Sequence, residues 1–254
     1  MHSLTSMQLT CLLLAGVLGG FVRGYSGFGF ALAAVPLLNL AFAPALSIPS
    51  VLLVECAIGA ATVAGQRTNV DWTALRPMMA GAVAGTPVGI LCLRYAPPDL
   101  TRLAVAMTVL IAIAVLWRSP SLHWLGSPRA LVTGGLISGV LNGGTAMSGP
   151  PAVLVLLGSP IAPRNARAVL MTFIFFSAAL AVALTIAWGM QGQETILHAL
   201  IMAPTVIVGA VSGVALFANL PHGYYRKGSF GVLLLVSVVT VVSVLWALGF
   251  SESA

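Results

Sequence analysis

GYSGFG, residues 24–29, interrupts the first apolar stretch of the chain, Leu9–Leu40. A single helix over this stretch would be about 48 Å long at ~1.5 Å per residue, against a hydrocarbon core about 30 Å thick. Two full crossings would need about 40 residues, so the stretch is also too short for a pair of spanning helices. Because glycine permits the backbone to turn, we predict two half-helices that meet near mid-membrane.

The fifth apolar stretch, Ala130–Leu157, has a similar interruption, NGGTAMSGPP at residues 142–151. As one helix it would be about 42 Å long, which again fits neither one crossing nor two. Proline near the start of a helix gives up an amide that would lack a partner anyway. The other apolar stretches approach the ~20 residues of a spanning helix. They are Leu46–Ala64, Met78–Leu93, Leu103–Trp117, Ala168–Ala187, Ile196–Ala218 and Phe230–Phe250.

The composition indicates that the chain lies in a membrane. Of its 254 residues, 59% are hydrophobic and 6% are charged, and the mean hydropathy is +1.06. A soluble domain carries about 25% charged residues, so a water-soluble protein is excluded and the lipid bilayer is the expected surrounding. The net charge of +6 does not indicate nucleic-acid binding, because the basic residues form no run beyond Arg226-Lys227. The three cysteines have no C-x-x-C pairing, which favours buried thiols.

The two halves of the chain match each other thinly but in order. Pairs that lie 119 residues apart are Gly20 and Gly139, Gly24 and Gly143, Ser26 and Thr145, and Pro44 and Pro163. Pairs that lie 124 residues apart are Gly85 and Gly209, Gly89 and Gly213, Pro97 and Pro221, and Arg102 and Arg226. We therefore predict an all-α integral membrane protein made of two four-segment repeats, residues 1–118 and 130–254, with a connecting loop at residues 119–129.

The basic residues indicate how the repeats are oriented. If all eight stretches cross the membrane, the basic residues of the loops divide six to four between the two faces. If the first and fifth stretches are re-entrant hairpins, the division is eight to two, with only Arg94 and Arg102 on the minority face. The second division gives the stronger positive-inside bias. We therefore predict inverted repeats in the cell (inner) membrane, each with one re-entrant helix pair and three spanning helices, and both termini outside.

Three motifs follow one another along the chain. They are Gly20-Phe21-Val22-Arg23-Gly24-Tyr25-Ser26-Gly27-Phe28-Gly29-Phe30, then Thr68-Asn69-Val70-Asp71-Trp72 leading to Gly85-Thr86-Pro87-Val88-Gly89, then Gly139-Val140-Leu141-Asn142-Gly143 leading to Gly149-Pro150-Pro151. In this combination the whole chain resembles the TauE/SafE-type sulfite exporter family. It departs from the family pattern at Phe30, Ala146 and Ser148, where glycine is common. The resemblance implies a permease that moves sulfite, organosulfonates or related sulfur oxyanions, and export is the expected direction.

Arg23 carries the clearest signal for an anion site. An arginine within a membrane segment is costly unless it faces a cavity or a partner. Arg23 precedes the first break by one residue, where half-helix amides carry partial positive charge and planar donors suit an oxyanion. The alternatives are that Arg23 extends to the interface or pairs with Glu55. Asn142 occupies the matching position in the second half, so only one repeat supplies a charge.

The predicted substrate site combines groups from both breaks. Ser26, Thr145 and Ser148 offer hydroxyl donors, although such side chains in membranes often bond back to helix carbonyls. Backbone amides of the break glycines are better candidates as a class. The full predicted set is Arg23, Gly24, Ser26, Gly27, Gly29, Asn142, Gly144, Thr145, Ser148 and Gly149.

Glu55 is the only acidic residue deep inside an apolar segment. Carboxyl groups in apolar surroundings take up protons readily, so Glu55 is a candidate for carrying a coupling proton. It is equally a candidate for neutralising Arg23, and a position at a helix end near the interface is the third possibility. No cofactor is expected, and the spacing of His2, His123, His198 and His222 gives no support for a metal site.

These features predict a secondary transporter that works by alternating access at a midplane anion site. An anion channel built from the same parts is the alternative that the sequence does not separate from a carrier. An intramembrane serine protease with Ser26 as nucleophile is a third reading, but it needs a histidine base, and His198 is the nearest to a segment interior. The small-xxx-small glycine series indicates close helix packing and allows a homodimer.

Overall fold

The computed structural model describes residues 4–118 and 127–219. Every regular element in these two ranges is a helix. In chain order they are α1 Ser6–Ser26, α2 Phe30–Leu38, α3 Pro44–Val63, a 3₁₀ helix Ala64–Asn69, α4 Trp72–Tyr95, α5 Pro98–Arg118, α6 Pro128–Thr145, α7 Gly149–Leu157, α8 Pro163–Ala187 and α9 Gln193–Asn219. The loop at 119–126 and the predicted last stretch, Phe230–Phe250, lie outside the described residues, as do His2, His123, His222, Arg226 and Lys227.

Both predicted breaks are present, but each is narrower than the sequence suggested. The first is only Gly27–Gly29 and the second only Ala146–Ser148. The two helices that flank the first break differ in length, since α1 has 21 residues and α2 has 9. Helix α1 continues through Gly24 because that glycine packs against a neighbouring helix, and Pro150 and Pro151 are accommodated within the first turn of α7.

The chain reverses direction at both breaks. A Cβ atom added to Gly19 of α1 would contact the ring of Phe30, so the start of α2 lies beside α1 more than a turn back from its end. In the second half a Cβ atom on Gly134 of α6 would contact the side chain of Val155 in α7. Each break is therefore the tip of a hairpin with one long and one short helix.

Local capping explains where three of the long helices begin. Thr5 and Gln8 form a capping box at α1, and the Ser127 hydroxyl accepts from the Ala130 amide at α6. Asp71 accepts from the Thr73 amide and hydroxyl at α4. The hydrogen bond from the Thr73 side chain lowers the pKa of Asp71, so the carboxylate stays ionised as a cap at neutral pH.

The two halves pack against each other through glycines. Helix α1 packs along α9, and α4 packs along α6. Cβ atoms on Gly20 and Gly24 would collide with the backbone of Val206 and Ala210, and those on Gly85 and Gly89 with Leu136 and Val140. These glycines let the helix backbones approach closely, as predicted. Because they are used within the chain, they no longer support a homodimer.

Five helices of the described ranges are long and apolar enough to cross a membrane. They are α1, α3, α4, Arg164–Ala187 of α8 and Gln193–Leu216 of α9. Large apolar side chains such as Val88, Leu91, Ile207 and Val211 are exposed on them, which lipid contact explains. The chain is therefore a multi-pass helical membrane protein. Helix α5, the predicted fourth segment, is not among the five.

Candidate functional site

The two breaks meet around one small cavity. Its volume is about 10 Å³, close to the least space that holds one water molecule. Gly29 and Ser148 of the two breaks and Gly149 at the start of α7 line it together with Glu55 of α3 and Ile174 of α8. Segments that are far apart in the chain are therefore assembled at one buried point, which in this conformation is too small for an oxyanion.

Arg23 and Glu55 form a buried ion pair beside this cavity. Nη1 of Arg23 lies 2.7 Å from Oε1 of Glu55, and the two residues are 3% and 4% exposed. Arg23 therefore does not extend to the interface, and Glu55 does not occupy a helix end, so both of those alternatives are wrong. Nη2 of Arg23 is buried without a hydrogen-bond partner, which leaves one donor of the guanidinium unused.

The matching positions in the second half carry no charge. Asn142 is buried in α6, and its Nδ2 donates to the backbone carbonyl of Ser177 over 2.9 Å. Ile174, which is 119 residues from Glu55, also lines the small cavity. The cavity thus has a carboxylate on one side and a hydrocarbon side chain at the matching place on the other.

The three predicted hydroxyls differ in how they are used. The Ser26 hydroxyl lies 2.7 Å from the Val22 carbonyl, and the Thr145 hydroxyl lies 2.7 Å from the Leu141 carbonyl, which is the common back-bonded arrangement. Ser148 caps α7 with its backbone only, since its side chain makes no capping hydrogen bond. Of the three, Ser148 is therefore the hydroxyl that faces the small cavity.

The short helices begin at the cavity with different numbers of free amides. The N-cap of α2 is Gly29, with φ at +89°, so no side chain caps that helix. The first amides of α2 are consequently open to a ligand. Helix α7 begins Gly149-Pro150-Pro151, so two of its first three residues have no N–H group. The donor-rich side of the cavity is therefore the α2 side.

A much larger cavity opens beside the first break, and we call it the vestibule. It has a volume of about 940 Å³. Its described lining residues are Ser26, Phe28, Gly65, Asn69, Val153, Leu156, Leu157, Ser159, Ile161, Arg164, Ala166, Arg167, Leu170 and Val214. Two of them, Arg164 and Arg167, are arginines from the first turns of α8, and none of the described lining residues is acidic.

Phe28 is close to both cavities. It lies between Gly27 and Gly29, both of which have positive φ, and it lines the vestibule. A Cβ atom on Gly149, which lines the small cavity, would lie 3.0 Å from Cδ2 of Phe28. Phe28 therefore lines the vestibule and lies next to a residue of the small cavity.

Comparison with known proteins identifies the family. The sequence profile of the TauE/SafE sulfite exporter family matches residues 12–240. The chain belongs to this family. A probable sulfite/organosulfonate exporter TauE of Cupriavidus necator is 25% identical over 228 residues, which cover 85% of this chain and 87% of that protein. No solved structure gives a significant match.

As a TauE/SafE protein the chain is a membrane transporter and not an enzyme. The protease reading of Ser26 is accordingly set aside, and the structure agrees with that. The Ser26 hydroxyl is engaged by backbone groups, and the His198 ring packs on Phe42 with centroids 4.4 Å apart. Within residues 4–118 and 127–219 no cluster of potential metal ligands occurs.

The predicted site residues of this TauE/SafE protein fall into three groups. Gly29, Glu55, Ser148 and Gly149 meet at the small cavity, with Arg23 bound to Glu55. Ser26 lines the vestibule, and Gly27 lies against the Arg167 side chain. The others hold helices together: Gly24 packs on α9, Gly144 faces Gly89 of α4, Asn142 bonds to α8, and Thr145 bonds back within α6.

Sequence reasoning missed Phe28, Arg164 and Arg167 as site residues. The arginines were counted only as loop charges that orient the protein. One signal was available, because the matching positions at the start of α3 are Ala45 and Ile48, so the arginines are present in one half only. Phe28 gave no chemical signal, since an aromatic residue in an apolar segment is ordinary.

Proposed function

We propose that this protein is a secondary transporter that exports a small sulfur oxyanion, sulfite or an organosulfonate, by alternating access. The substrate class comes from the family and from the relative named as a probable sulfite/organosulfonate exporter. The observation that carries the proposal is the meeting of both helix breaks at one buried cavity, where the uncapped start of α2 faces Ser148 and Gly149. Paired helix breaks of this kind form the substrate sites of many transporters.

The Arg23–Glu55 pair supplies the coupling in this proposal. An anion that enters the cavity adds negative charge next to the Glu55 carboxylate, which is unfavourable while that carboxylate is ionised. A proton on Glu55 removes its charge and frees Nη1 of Arg23, which then faces the anion with Nη2. Arg23 thus serves as the anion ligand only when Glu55 is protonated.

The closed path between the two cavities favours a carrier over a channel. A channel needs a continuous pore, whereas in this protein the space next to Phe28, where the two breaks meet, is a cavity of only about 10 Å³. In the proposed cycle, the conformation with the open vestibule is accessible from one face of the membrane. The first break then moves, and the small cavity widens. Stimulation of uptake by anion inside the vesicle would identify a carrier, and conductance that rises linearly with anion concentration would identify a pore.

We propose the inverted-repeat topology in the inner membrane as the frame for this cycle. Two observations support it. Helices α2 and α7 both have nine residues, and their first residues and their last residues are 119 positions apart in the sequence. Helices α3 and α8 begin at Pro44 and Pro163, which are also 119 positions apart. The packing of α1 on α9 is matched by that of α6 on α4. Labelling of single cysteines placed at residues 129 and 164 from either side of the membrane tests this topology. The two positions lie on one face if the fifth stretch is re-entrant and on opposite faces if it crosses the membrane.

The test of the function is flux in proteoliposomes. Sulfite, sulfoacetate and sulfate are compared for the native protein and for Arg23→Gln, and we expect saturable flux of a sulfur oxyanion that Arg23→Gln abolishes. Arg102→Gln is the matched control, because it removes an arginine from an exposed ion pair with Asp99 on α5. Equal flux in native protein and folded Arg23→Gln would eliminate Arg23 as a ligand, and no flux of any of the anions would contradict the proposed function.

The coupling is tested with Glu55→Gln and propanesulfonate, whose charge does not change between pH 5 and 8. Glutamine keeps an oxygen that accepts from Arg23 but does not take up a proton. We expect native flux to increase as the pH falls, and flux by Glu55→Gln to be independent of pH. A variant that retains the native pH dependence would show that Glu55 does not carry the proton.

A further inference from the structure

We propose that protons reach Glu55 along a row of buried polar side chains in the second half, which holds bound water and ends at the small cavity. We call it the polar row, and its members are Ser138, Asn142 and Thr145 of α6 and Ser148 at the second break. The inference rests on the proposed function, in which Glu55 takes up a proton, and it adds the route by which that proton arrives. None of the four members lines the vestibule, so the proton has a route of its own.

The members of the polar row follow one another along α6. The three that belong to the helix are spaced by four and three residues, so they share one face, and Ser148 comes three residues later, just beyond the helix end. All four residues are at most 3% exposed. Polar side chains buried within a membrane protein are typical of proton and ion pathways.

Two hydroxyl groups at the row have no hydrogen-bond partner among the described residues. They are Oγ of Ser138 and Oγ of Ser177 in α8, and both residues are fully buried. Ser177 adjoins the row, because its backbone carbonyl accepts from Nδ2 of Asn142. A buried hydroxyl group without a partner is costly, and ordered water is the usual partner where a direct one is lacking. The interface of α6 and α8 is therefore a place for bound water.

The repeat places Ser138 beside the small cavity. Its match in the first half is Gly19, against which the ring of Phe30 packs. The match of Phe30 is Gly149, which lines the small cavity. The second hairpin therefore has a hydroxyl group where the first has a glycine, and a glycine where the first has an aromatic ring.

At the cavity the row reaches Glu55. Ser148 and Glu55 line the same space of about 10 Å³, and a space of that size with polar groups on its wall holds one water molecule. This water gives a proton to the Glu55 carboxylate and takes one from the Ser148 hydroxyl. The Ser148 oxygen takes one in turn from the next water of the row, so each relay oxygen keeps its number of hydrogens.

The charge around Glu55 is simple in the described ranges. Arg23 of α1 is the charged side chain that contacts it, and α8 presents the hydrocarbon chain of Ile174 to the cavity. No other described residue that lines the small cavity is titratable. A proton delivered to this cavity therefore has one acceptor, the Glu55 carboxylate.

The other end of the row points toward the start of α6. Arg129, in the first turn of that helix, belongs to the predicted majority face of the positive-inside count, which is the cytoplasmic one. Glu55 thus takes its proton from the side on which an exporter loads its anion. In the first half the positions that match the row are Gly19, Arg23, Ser26 and Gly29. One half supplies a charge for the anion, and the other supplies neutral groups for the proton.

The experiment follows the protonation of Glu55 itself, without transport. In detergent micelles the pH is lowered rapidly, and the infrared C=O band of a protonated carboxyl group is recorded over time, with Glu55→Gln to identify the band by its loss. We expect Ser138→Ala and Ser148→Ala to slow its appearance about tenfold, because each removes one hydrogen-bonded step, without changing the pH at which it is half-formed. Ser138→Thr and Ser148→Thr keep the hydroxyl group and should stay near the native rate. Ser138→Ala removes a hydroxyl group without a partner, so the variant should fold.

Ser50→Ala is the matched control. Ser50 is fully buried in α3, five residues before Glu55, but its hydroxyl donates to the Leu46 carbonyl and it lines neither cavity. Unchanged rates in Ser138→Ala and Ser148→Ala, or an equal slowing in Ser50→Ala, would overturn the polar row.

The outcomes also separate the polar row from the proposed function. Absence of a Glu55 carboxyl band at every pH would contradict both the row and the proposed coupling. Slowing by Ser138→Ala and Ser148→Ala in a protein that shows no flux would sustain the row and contradict the proposed function. Flux of a sulfur oxyanion with unchanged protonation rates would contradict the row alone.

Discussion

The two helix breaks occupy matching places in the chain, and yet almost every polar feature lies at the first. The first has an ion pair, Arg23–Glu55, where the second has Asn142 bonded to a backbone carbonyl. The first opens a helix with free amides, and the second opens one with two prolines. Phe28 is half-buried beside the vestibule, whereas Met147 at the matching position is buried.

This contrast suggests a division of labour between the breaks. A buried ion pair, two glycines with positive φ and an open neighbouring cavity are features of a segment that binds a ligand and moves. Prolines, buried side chains and a hydrogen bond to the neighbouring helix are features of a segment that stays in place. We therefore expect the first break to move during transport and the second break to stay in place.

The largest expected difference concerns the polar partners of α1 and α6. Arg23→Gln leaves the Glu55 carboxylate buried without its cation, so we expect a loss of about 3–5 kcal/mol in the free energy of unfolding. Asn142→Ala removes one hydrogen bond to a carbonyl that also belongs to a helix, which costs about 1 kcal/mol. Unfolding by SDS in mixed micelles measures both. The double variant Arg23→Gln, Glu55→Gln should recover at least half of the loss, and equal costs at Arg23 and Asn142 would remove the contrast.

A smaller difference is expected for the residues at the two tips, Phe28 and Met147. In a cysteine-free protein with Ser148→Cys, we expect Phe28→Ala to increase the rate of labelling from the vestibule about tenfold. Displacing a fully buried phenylalanine costs about 1.5–3 kcal/mol. For the half-buried Phe28 a barrier of at most about 1.5 kcal/mol is removed, which corresponds to about a tenfold change in rate. Met147→Ala is the comparison at the matching position, and it should increase the rate less than Phe28→Ala does, because Met147 lines the small cavity but not the vestibule. Similar increases in both variants would show that Phe28 is not the barrier.

The positions of the two breaks were predictable from the sequence, and the lengths of the helices on either side of them were not. Apolar length and glycine content located both interruptions, because a long apolar helix does not fit a bilayer. Their exact extent depended on packing, since Gly24 and Gly143 are helical where they touch the backbone of a neighbouring helix. The sequence does not show whether a glycine bends its own helix or allows a neighbouring helix to pack closely against it. The unequal lengths of the two helices at each break could therefore not be predicted.

The site residues that could be predicted from the sequence are the charged residues inside apolar segments. Arg23 and Glu55 were identified because charges within membrane segments need partners, and pairing was among the alternatives given for each. Arg167 was missed because its position near a helix start has an ordinary explanation in membrane orientation. Only the three-dimensional arrangement brings it against Gly27, which is 140 residues earlier in the sequence.

The smallest expected difference concerns the residues that end α1 and α6, Gly27 and Ala146. Both have positive φ, at +82° and +61°, but only the second carries a side chain. Because an L side chain in this conformation costs about 1–2 kcal/mol, we expect Gly27→Ala to destabilise the protein by that amount and Ala146→Gly to stabilise it by about 0.5–1 kcal/mol. The added methyl group at Gly27 would also press on the Arg167 side chain, so Gly27→Ala should lower the flux of the sulfur oxyanion, while Ala146→Gly leaves it unchanged. SDS unfolding and flux in proteoliposomes test the two effects separately. If Gly27→Ala lowers stability without changing flux, the first break is only a tighter turn than the second, and the proposed difference between a moving and a fixed break fails at the residue that should show it most directly.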